Sequence, residues 1–304
     1  MRRFPQVCVA AVIVAGMAAG LLAWAQGNDA ERKYLIRHQF RDGQKLRYTL
    51  SVAGQGEWTP QQGNFKAGEM STDFMFTLVQ KVMRQGGACT FELVGEKLTS
   101  SGEGTDGSYS VTASRESCKW ELNKLKGKTE DKNPLTNEMT VTIDPVGNMP
   151  FSTGLRHIAL FFLVHVDQRF WEPLTHAPMR EVGVGDEWEV DFPFQLPDSV
   201  GRPLDVKAKA RVTGWENFGG RRCLAGRLAA ELDLKDTTVT LLNGDRAHIQ
   251  QGNYKADGKV LWDVEQGLLC YAAAQNSLVI ISDRPTNRRF AGKARCTLKL
   301  LAAQ

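Results

Sequence analysis

Three of the five histidines lie in one apolar stretch, Arg156–His176, and imidazole is both a common metal ligand and a common general base. At about 100° per residue on a helix, His157 and His165 fall on the polar face beside Arg169. His176 lies beyond Pro173, which should end the helix. The three side chains therefore do not converge, and the sequence predicts no metal site here.

A second pattern with chemical meaning is Gly102-Glu103-Gly104-Thr105-Asp106-Gly107, which fits G-x-G-x-x-G. A dinucleotide site needs a strand before this pattern and a helix after it. Here an alternating strand follows, which predicts a hairpin loop. The chain has no G-x-S-x-G, H-E-x-x-H or P-loop, and its 34 acidic residues single out no pair. We therefore predict no catalytic residue, metal or cofactor.

The cysteines suggest structural chemistry. Cys89 and Cys118 are centred on the Gly-rich loop, and Cys270 and Cys296 are centred on Asp283. If each segment is a hairpin, each pair lies opposite across two strands, and the spacing predicts two disulfides. Cys223 is then the odd thiol. The alternatives are five unpaired cysteines or another pairing, such as Cys223 with Cys270.

The elements that must position these residues are strands. Apolar and polar residues alternate over 45–52, 108–114, 139–144, 188–194 and 206–213. Alternation with a period of two is typical of antiparallel sheets with one buried face. The sequence therefore predicts a mainly β protein.

The apolar stretch itself predicts a helix over Thr153–Trp171 that packs onto the sheets. Its apolar core, Ile158–Val164, is too short to span a bilayer. Phe161, Phe162 and Trp171 are the candidate residues for lining an apolar cavity.

The two ends of the chain share landmarks in one order, which favours an internal duplication. Gly43-Gln44-Lys45-Leu46 resembles Gly185-Asp186-Glu187-Trp188, and Gly86-Gly87-Ala88-Cys89 resembles Gly219-Gly220-Arg221-Arg222-Cys223. Chance similarity between hairpins is the alternative. The expected fold is two related half-barrel or sandwich-like β halves with a central bridging helix. The expected segments are 1–25, 26–150, 151–180 and 181–304, which are a signal peptide, a β half, the bridging helix with its linker, and a second β half.

The N-terminus predicts export. Arg2 and Arg3 precede an apolar run over Val7–Ala25, and Ala23-Trp24-Ala25 forms an A-x-A cleavage site. The mature chain should begin near Gln26 in the periplasm or outside the cell. An uncleaved N-terminal membrane anchor is the alternative, because the run is just long enough to span a bilayer.

Charge narrows the choice of partners. The formal net charge is +4, and loss of Arg2 and Arg3 leaves +2, which does not indicate a nucleic-acid partner. The basic run over 283–296 is predicted to be a solvated loop.

Four short motifs carry a resemblance to known proteins. They are G-Q-x-L-x-Y (43–48), M-T-V-T-I-D-P-x-G (139–147), V-G-D-E-W (184–188) and G-G-x-x-C (219–223). The chain resembles a group of secreted bacterial β-rich envelope proteins and, more distantly, the half-barrel carriers of lipoproteins or lipids. The resemblance transfers no site residue, because the carriers are defined by shape. It implies a non-catalytic protein that binds an apolar ligand in the cell envelope. The alternatives are a structural or interaction module with an envelope protein or polysaccharide partner and, third, a hydrolase.

Overall fold

The computed structural model describes residues 32–59, 67–104, 107–124, 133–136, 139–145, 151–153, 178, 180–194, 199–200, 204–241, 244–284 and 288–304. These residues form seventeen strands and one short 3₁₀ turn, η1 (Pro134–Thr136). The strands are β1 (Tyr34–Leu35), β2 (Lys45–Thr59), β3 (Ala67–Met83), β4 (Cys89–Gly104), β5 (Gly107–Ser114), β6 (Cys118–Asn123), β7 (Thr140–Ile143), β8 (Phe151–Thr153), β9 (Glu181–Val182), β10 (Glu187–Phe194), β11 (Ser199–Val200), β12 (Leu204–Phe218), β13 (Arg221–Asp233), β14 (Thr237–Leu241), β15 (Arg246–Asp263), β16 (Leu268–Arg284) and β17 (Arg288–Ala303).

Fifteen of these strands belong to one sheet, and β1 pairs with β9 in a small second sheet. The main path runs β10-β12-β13-β15-β16-β17-β2-β3-β4-β5-β6, and every pairing is antiparallel. The last strand of the chain, β17, pairs with β2 from Arg289↔Thr59 to Ala303↔Leu46. The strands of both predicted halves therefore lie in one continuous sheet.

The predicted β character is confirmed, and alternation explains it. All five alternating segments are strands: they lie in β2, β5, β7, β10 and β12. In β12, every second residue from Val206 to Val212 is buried while Lys207, Lys209 and Arg211 are exposed. The sequence 102–107 is also a hairpin as expected, since Gly104 pairs with Gly107 where β4 meets β5.

The two ends of the chain repeat one order of strand pairing. Strands β2, β3, β4, β7 and β8 pair in sequence, and so do β10, β12, β13, β15 and β16. The turn between β3 and β4 holds Gly86 and Gly87 at positive φ, and the turn between β12 and β13 holds Gly219 and Gly220 likewise. Only glycine adopts such angles without strain, so the Gly-Gly landmarks of the sequence mark equivalent turns.

Two apolar clusters lie against the sheet. The N-terminal cluster is formed mainly by β2–β5 and β7 and is rich in aromatic residues. The C-terminal cluster is formed mainly by β10, β12, β13, β15 and β16 and is rich in alanine and valine. Leu298 of β17 packs against both clusters.

Several expectations need correction. The predicted bridging helix over 153–171 lies outside the described residues except for Thr153, which ends strand β8. Within the described ranges there is no α-helix. In the basic run over 283–296, the described residues form strands and not the expected loop: β16 continues to Arg284, and β17 begins at Arg288. Pairing with both neighbouring strands extends β17 over a stretch whose charges suggested a loop.

The expected cross-strand placement of the cysteines is also wrong. Cys118 pairs with Ala113 because a turn over 115–117 ends β5 early, and Cys89 pairs with Met83 and Ile143. Cys296 pairs with Ala274, four positions beyond Cys270. No disulfide joins any two of the five described cysteines.

Candidate functional site

An open groove crosses the main sheet roughly perpendicular to its strands. Its volume is about 1300 Å³, and its lining comes from β2, β3, β4, β5, β12, β13, β15, β16 and β17. Ordinary small-molecule pockets have volumes of about 300–1000 Å³. The groove therefore has room for a long ligand that contacts both halves of the sheet.

Two rows of polar residues follow the groove on one face of the sheet. Residues paired directly across antiparallel strands project to the same side, so the register defines each row. The first row is Glu231, Lys255, Ser277, Lys293, Gln55, Glu69, Glu103 and Ser108. The second row is Lys209, Ala229, Asp257, Gln275, Arg295, Ala53, Ser71 and Ser101.

The charges of the lining are unevenly distributed along the groove. All five basic lining residues lie on β12, β15 and β17, whereas the lining charges of β3 and β4 are Glu69 and Glu103. Two of the lysines are already paired. Lys255 Nζ lies 2.9 Å from Glu231 Oε1, and Lys207 Nζ lies 3.6 Å from Glu189 Oε2. Hydrogen bonds from Lys255 and then Asn253 hold the pKa of Glu231 below its ordinary value.

Lys293 and Arg295 on β17 differ from these paired lysines. Within the described part of the chain, neither takes part in an ion pair. Lys293 stands between Ser277 and Gln55, and Arg295 stands between Gln275 and Ala53. Both cations are exposed, and all four cross-strand neighbours are uncharged.

The acidic end of the groove has a different character. Glu69 of β3 is directly opposite Glu103 of β4, and both side chains are exposed. The next pair along the same two strands is Ser71 and Ser101, whose hydroxyl oxygens are 3.1 Å apart. Directly opposed like charges destabilise a strand pair, so packing alone does not explain Glu69 and Glu103.

The other face of the sheet carries mostly small side chains at the same level. Paired positions there are Ala208, Ala230, Ala256, Asn276, Ala294, Gly54, Met70, Gly102 and Tyr109. The Tyr109 ring covers Gly102 so closely that a Cβ there would lie 2.4 Å from Tyr109 Cε1. All of this row except Ala208 also borders the groove, although its side chains project from the face opposite the charged rows.

A much smaller cavity lies within the C-terminal cluster. It has a volume of about 30 Å³ and is lined by residues that include Ile36, Trp188, Leu224 and Trp262. A cavity of that size holds about two water molecules. It has no room for an acyl chain.

A buried polar group lies outside the groove lining, where β13, β15 and β16 meet. Arg221 Nη1 lies 2.9 Å from Asp263 Oδ2, and the Gln266 backbone N–H donates to Asp263 Oδ1 at 3.0 Å. The thiols of Cys223 and Cys270 are hydrogen-bonded to each other, which raises the pKa of Cys223. Asp263 closes the β15–β16 turn and accepts from Arg221, so the group has a structural role.

Most of the residues predicted for a site fall outside the part of the chain that the structure describes. Phe161, Phe162, Trp171 and the three histidines of the apolar stretch are outside the described residues. Lys293 and Arg295 were missed because their basic run suggested a solvated loop. The alternation of Lys293, Arg295 and Thr297 with Ala294 and Cys296 was the signal for a strand.

Neither a metal site nor a membrane-spanning helix is found among the residues that the structure describes. No group of three or more His, Cys, Asp or Glu side chains is arranged to hold a metal ion. No helix of that part has the length and apolar character that a bilayer crossing requires.

Comparison with known proteins gives weak likenesses. No family model matches the chain, and no curated protein matches it. A structure of lipovitellin that describes lipid–protein interactions matches 88% of this chain with a TM-score of 0.42 and 8% identity, and the chain spans about a quarter, 26%, of that protein.

Two other structures are less similar. Pseudomonas aeruginosa OccK5 (OpdH) matches 85% of this chain and 98% of its own, with a TM-score of 0.22 and 7% identity. The binding domain of botulinum neurotoxin serotype C1 matches 84% of this chain and 78% of its own, with a TM-score of 0.13 and 8% identity. At these TM-scores neither a shared fold nor a role for any residue is established.

Proposed function

We propose that this protein is a non-catalytic binding protein that holds an amphipathic ligand, such as a lipid or the acylated part of a lipoprotein, in the cross-strand groove. The observation that carries the proposal is the groove itself, about 1300 Å³ in volume and lined by both small apolar and charged residues. A ligand with an acyl chain and a polar head matches such a mixed lining. The ligand lies in the groove because the described cavity inside the C-terminal cluster is too small.

A binding role fits the lining better than hydrolysis. Glu69 and Glu103 are the one pair of lining carboxylates that face each other directly across two strands. In enzymes that use two carboxyls, different burial of the two groups separates the proton donor from the charged partner. Both glutamates here are exposed, so their surroundings do not create that difference.

Native mass spectrometry of the protein purified without detergent tests the proposal. We expect a copurifying species with the mass of a lipid, or uptake of an added lysophospholipid in one-to-one stoichiometry. Ala229→Trp should reduce this uptake, because Ala229 is exposed in the groove lining. Val82→Trp is the matched control, since Val82 is 54% exposed and does not line the groove. Equal uptake by both variants would place the ligand elsewhere.

The second candidate is an interaction module that binds an extended polymer, a polysaccharide or a peptide, along the same groove. The small volume of the cavity in the C-terminal cluster and the polar rows of the groove favour it. Saturable binding of a soluble oligosaccharide or peptide pool, with no uptake of amphiphile, would select this candidate.

Both candidates place the protein outside the cytoplasm, and we propose that the chain is exported and cleaved after Ala25. The basic pair, the apolar run and the A-x-A site support this. The intact mass of the protein recovered from the cell envelope tests it. A full-length product that fractionates with membranes would instead indicate the N-terminal anchor.

A further inference from the structure

We propose that Lys293 and Arg295 bind the anionic head group, a phosphate or a carboxylate, of the amphiphile in the groove. This inference rests on the proposed function and adds to it the chemical class of the ligand. Its basis is that some basic residues of the groove lining are already in ion pairs with carboxylates and others are not.

The first step concerns which cations are available. Lys255 and Lys207 have carboxylate partners at 2.9 Å and 3.6 Å. Lys293 and Arg295 have none among the residues that the structure describes, although they lie on the same polar face. Lys209 of β12 has none there either, but it lies four strands away from β17. An anion would therefore meet two charges that no internal ion pair competes for.

The second step concerns the immediate surroundings. Gln55, Gln275 and Ser277 flank the two cations on the neighbouring strands β2 and β16. Their amides and hydroxyl are uncharged donors that can bind an oxyanion without repelling it. The nearest carboxylate on this face is Glu57 of β2, which pairs with Ala291 and so stands diagonally across from Lys293. The acidic positions of the two rows, Asp257 and Glu69, are one strand further away on either side. Strands are about 4.8 Å apart, so these acids lie two strand spacings from β17.

The third step concerns the geometry of the cations. Lys293 and Arg295 are two positions apart on one strand and therefore project to the same side. A guanidinium binds a phosphate or carboxylate with two parallel hydrogen bonds, and a lysine ammonium adds a point charge.

The experiment measures binding by isothermal titration calorimetry on the full mature chain, with three probes below their micelle concentrations. The probes are dodecyl phosphate, dodecyl maltoside with an uncharged head, and inorganic phosphate. The test variant is Lys293→Gln with Arg295→Gln. The matched control is Arg289→Gln with Lys299→Gln, because both positions are exposed on β17 and outside the groove lining.

We expect the test variant to weaken binding of dodecyl phosphate about 10- to 100-fold, since hydrogen bonds to charged groups contribute about 1.5–3 kcal/mol. Binding of dodecyl maltoside should stay unchanged in both variants, and the control should bind dodecyl phosphate like the natural chain. Added salt should weaken binding of dodecyl phosphate and leave the maltoside unaffected.

The outcomes separate the two proposals. Unchanged binding of dodecyl phosphate by the test variant would overturn the head-group assignment while leaving the groove as a lipid site. Inorganic phosphate binding as tightly as dodecyl phosphate would also overturn it, since the site would then hold a free ion. If the natural chain bound neither amphiphile, the proposed function itself would fail.

Discussion

The two halves of the sheet repeat one order of strand pairing and yet bury different side chains. The N-terminal cluster is packed with Phe74, Phe76 and Phe91, whereas the C-terminal cluster has Ala208, Ala210, Ala272 and Ala274 at comparable depth. Pairing order therefore does not dictate core composition. Ring packing fills the first core, and close approach of small residues fills the second.

The difference does not make the halves independent. The N-terminal cluster includes Cys223, Leu261, Leu268 and Cys270, which belong to β13, β15 and β16. The segment before β2 crosses between the clusters as well. Phe40 packs on Phe91 at 5.0 Å between centroids, and His38 packs on Trp262 at 4.7 Å. We therefore expect the two halves to unfold together.

The largest expected effect comes from emptying either core. Phe91 and Leu224 are at most 1% exposed, one in each cluster. Phe91→Ala should destabilise the fold by about 3–5 kcal/mol and Leu224→Ala by about 2–5 kcal/mol, because each leaves a cavity. Urea unfolding followed by tryptophan fluorescence should show one transition for each variant. Two separate transitions, with only one displaced, would show that the halves are independent after all.

The strands were the predictable part of this fold, and the reason is local. In β12 and β2 the alternation of apolar and charged residues reports directly which face is buried. The groove was not predictable, because it depends on which of Gln55, Gln275 and Ser277 come to flank Lys293 and Arg295. That register joins β2 to β17 across more than two hundred residues, and no local pattern encodes it.

The predicted cysteine pairs failed for a related reason, because they too depended on strand register. The Gly-rich hairpin was recognised, but the short turn after Ser114 was not, so the strand carrying Cys118 was placed opposite the wrong partner. The position of a turn sets the register of the two strands that it joins. When a turn is missed, the residues after it are assigned to the wrong strand and the wrong partners.

The next largest effect concerns His38, which lies between the clusters. Burial lowers its pKa from 6.5 to about 4, opposed by the weaker attraction of Asp144. The unfolded chain thus binds a proton between about pH 6.5 and 4 that the folded chain excludes. Stability is full above pH 6.5 and should fall by about 3 kcal/mol as the pH drops to about 4.

Unfolding midpoints across this pH range, compared with those of His38→Phe, measure that contribution. The phenylalanine keeps the ring packing, and the described structure gives His38 Nε2 no hydrogen-bond partner to lose. The difference between the two proteins should change between pH 6.5 and 4 and be constant above pH 7. A constant difference throughout would mean that His38 is not held neutral.

A smaller effect should follow from removing a hydrogen bond between the halves. The Tyr48 hydroxyl of β2 donates to the Leu269 carbonyl of β16 at 3.2 Å, and burial raises the pKa of this phenol. Tyr48→Phe should cost about 1 kcal/mol, or up to about 3 kcal/mol if the carbonyl is left unsatisfied. A double-mutant cycle with Phe91→Ala should show coupling if this contact joins the two cores. Simple additivity would restrict its effect to β2 and β16.

The smallest expected effect is at the surface of the C-terminal half, in the ion pair of Lys255 and Glu231. Both side chains are 61% exposed, so solvent screens the attraction and ordering two long side chains costs entropy. Lys255→Gln should leave the free energy of unfolding nearly unchanged, with a still smaller effect at high salt. Thermal melts at low and high ionic strength measure this.

The same variant frees Glu231 within the groove lining, so it should weaken binding of dodecyl phosphate slightly through the added negative charge. A large loss of stability in Lys255→Gln would instead show that the polar rows help to hold the sheet together. The apolar clusters would then not be the only source of stability, and the polar rows could not be regarded as a binding surface alone.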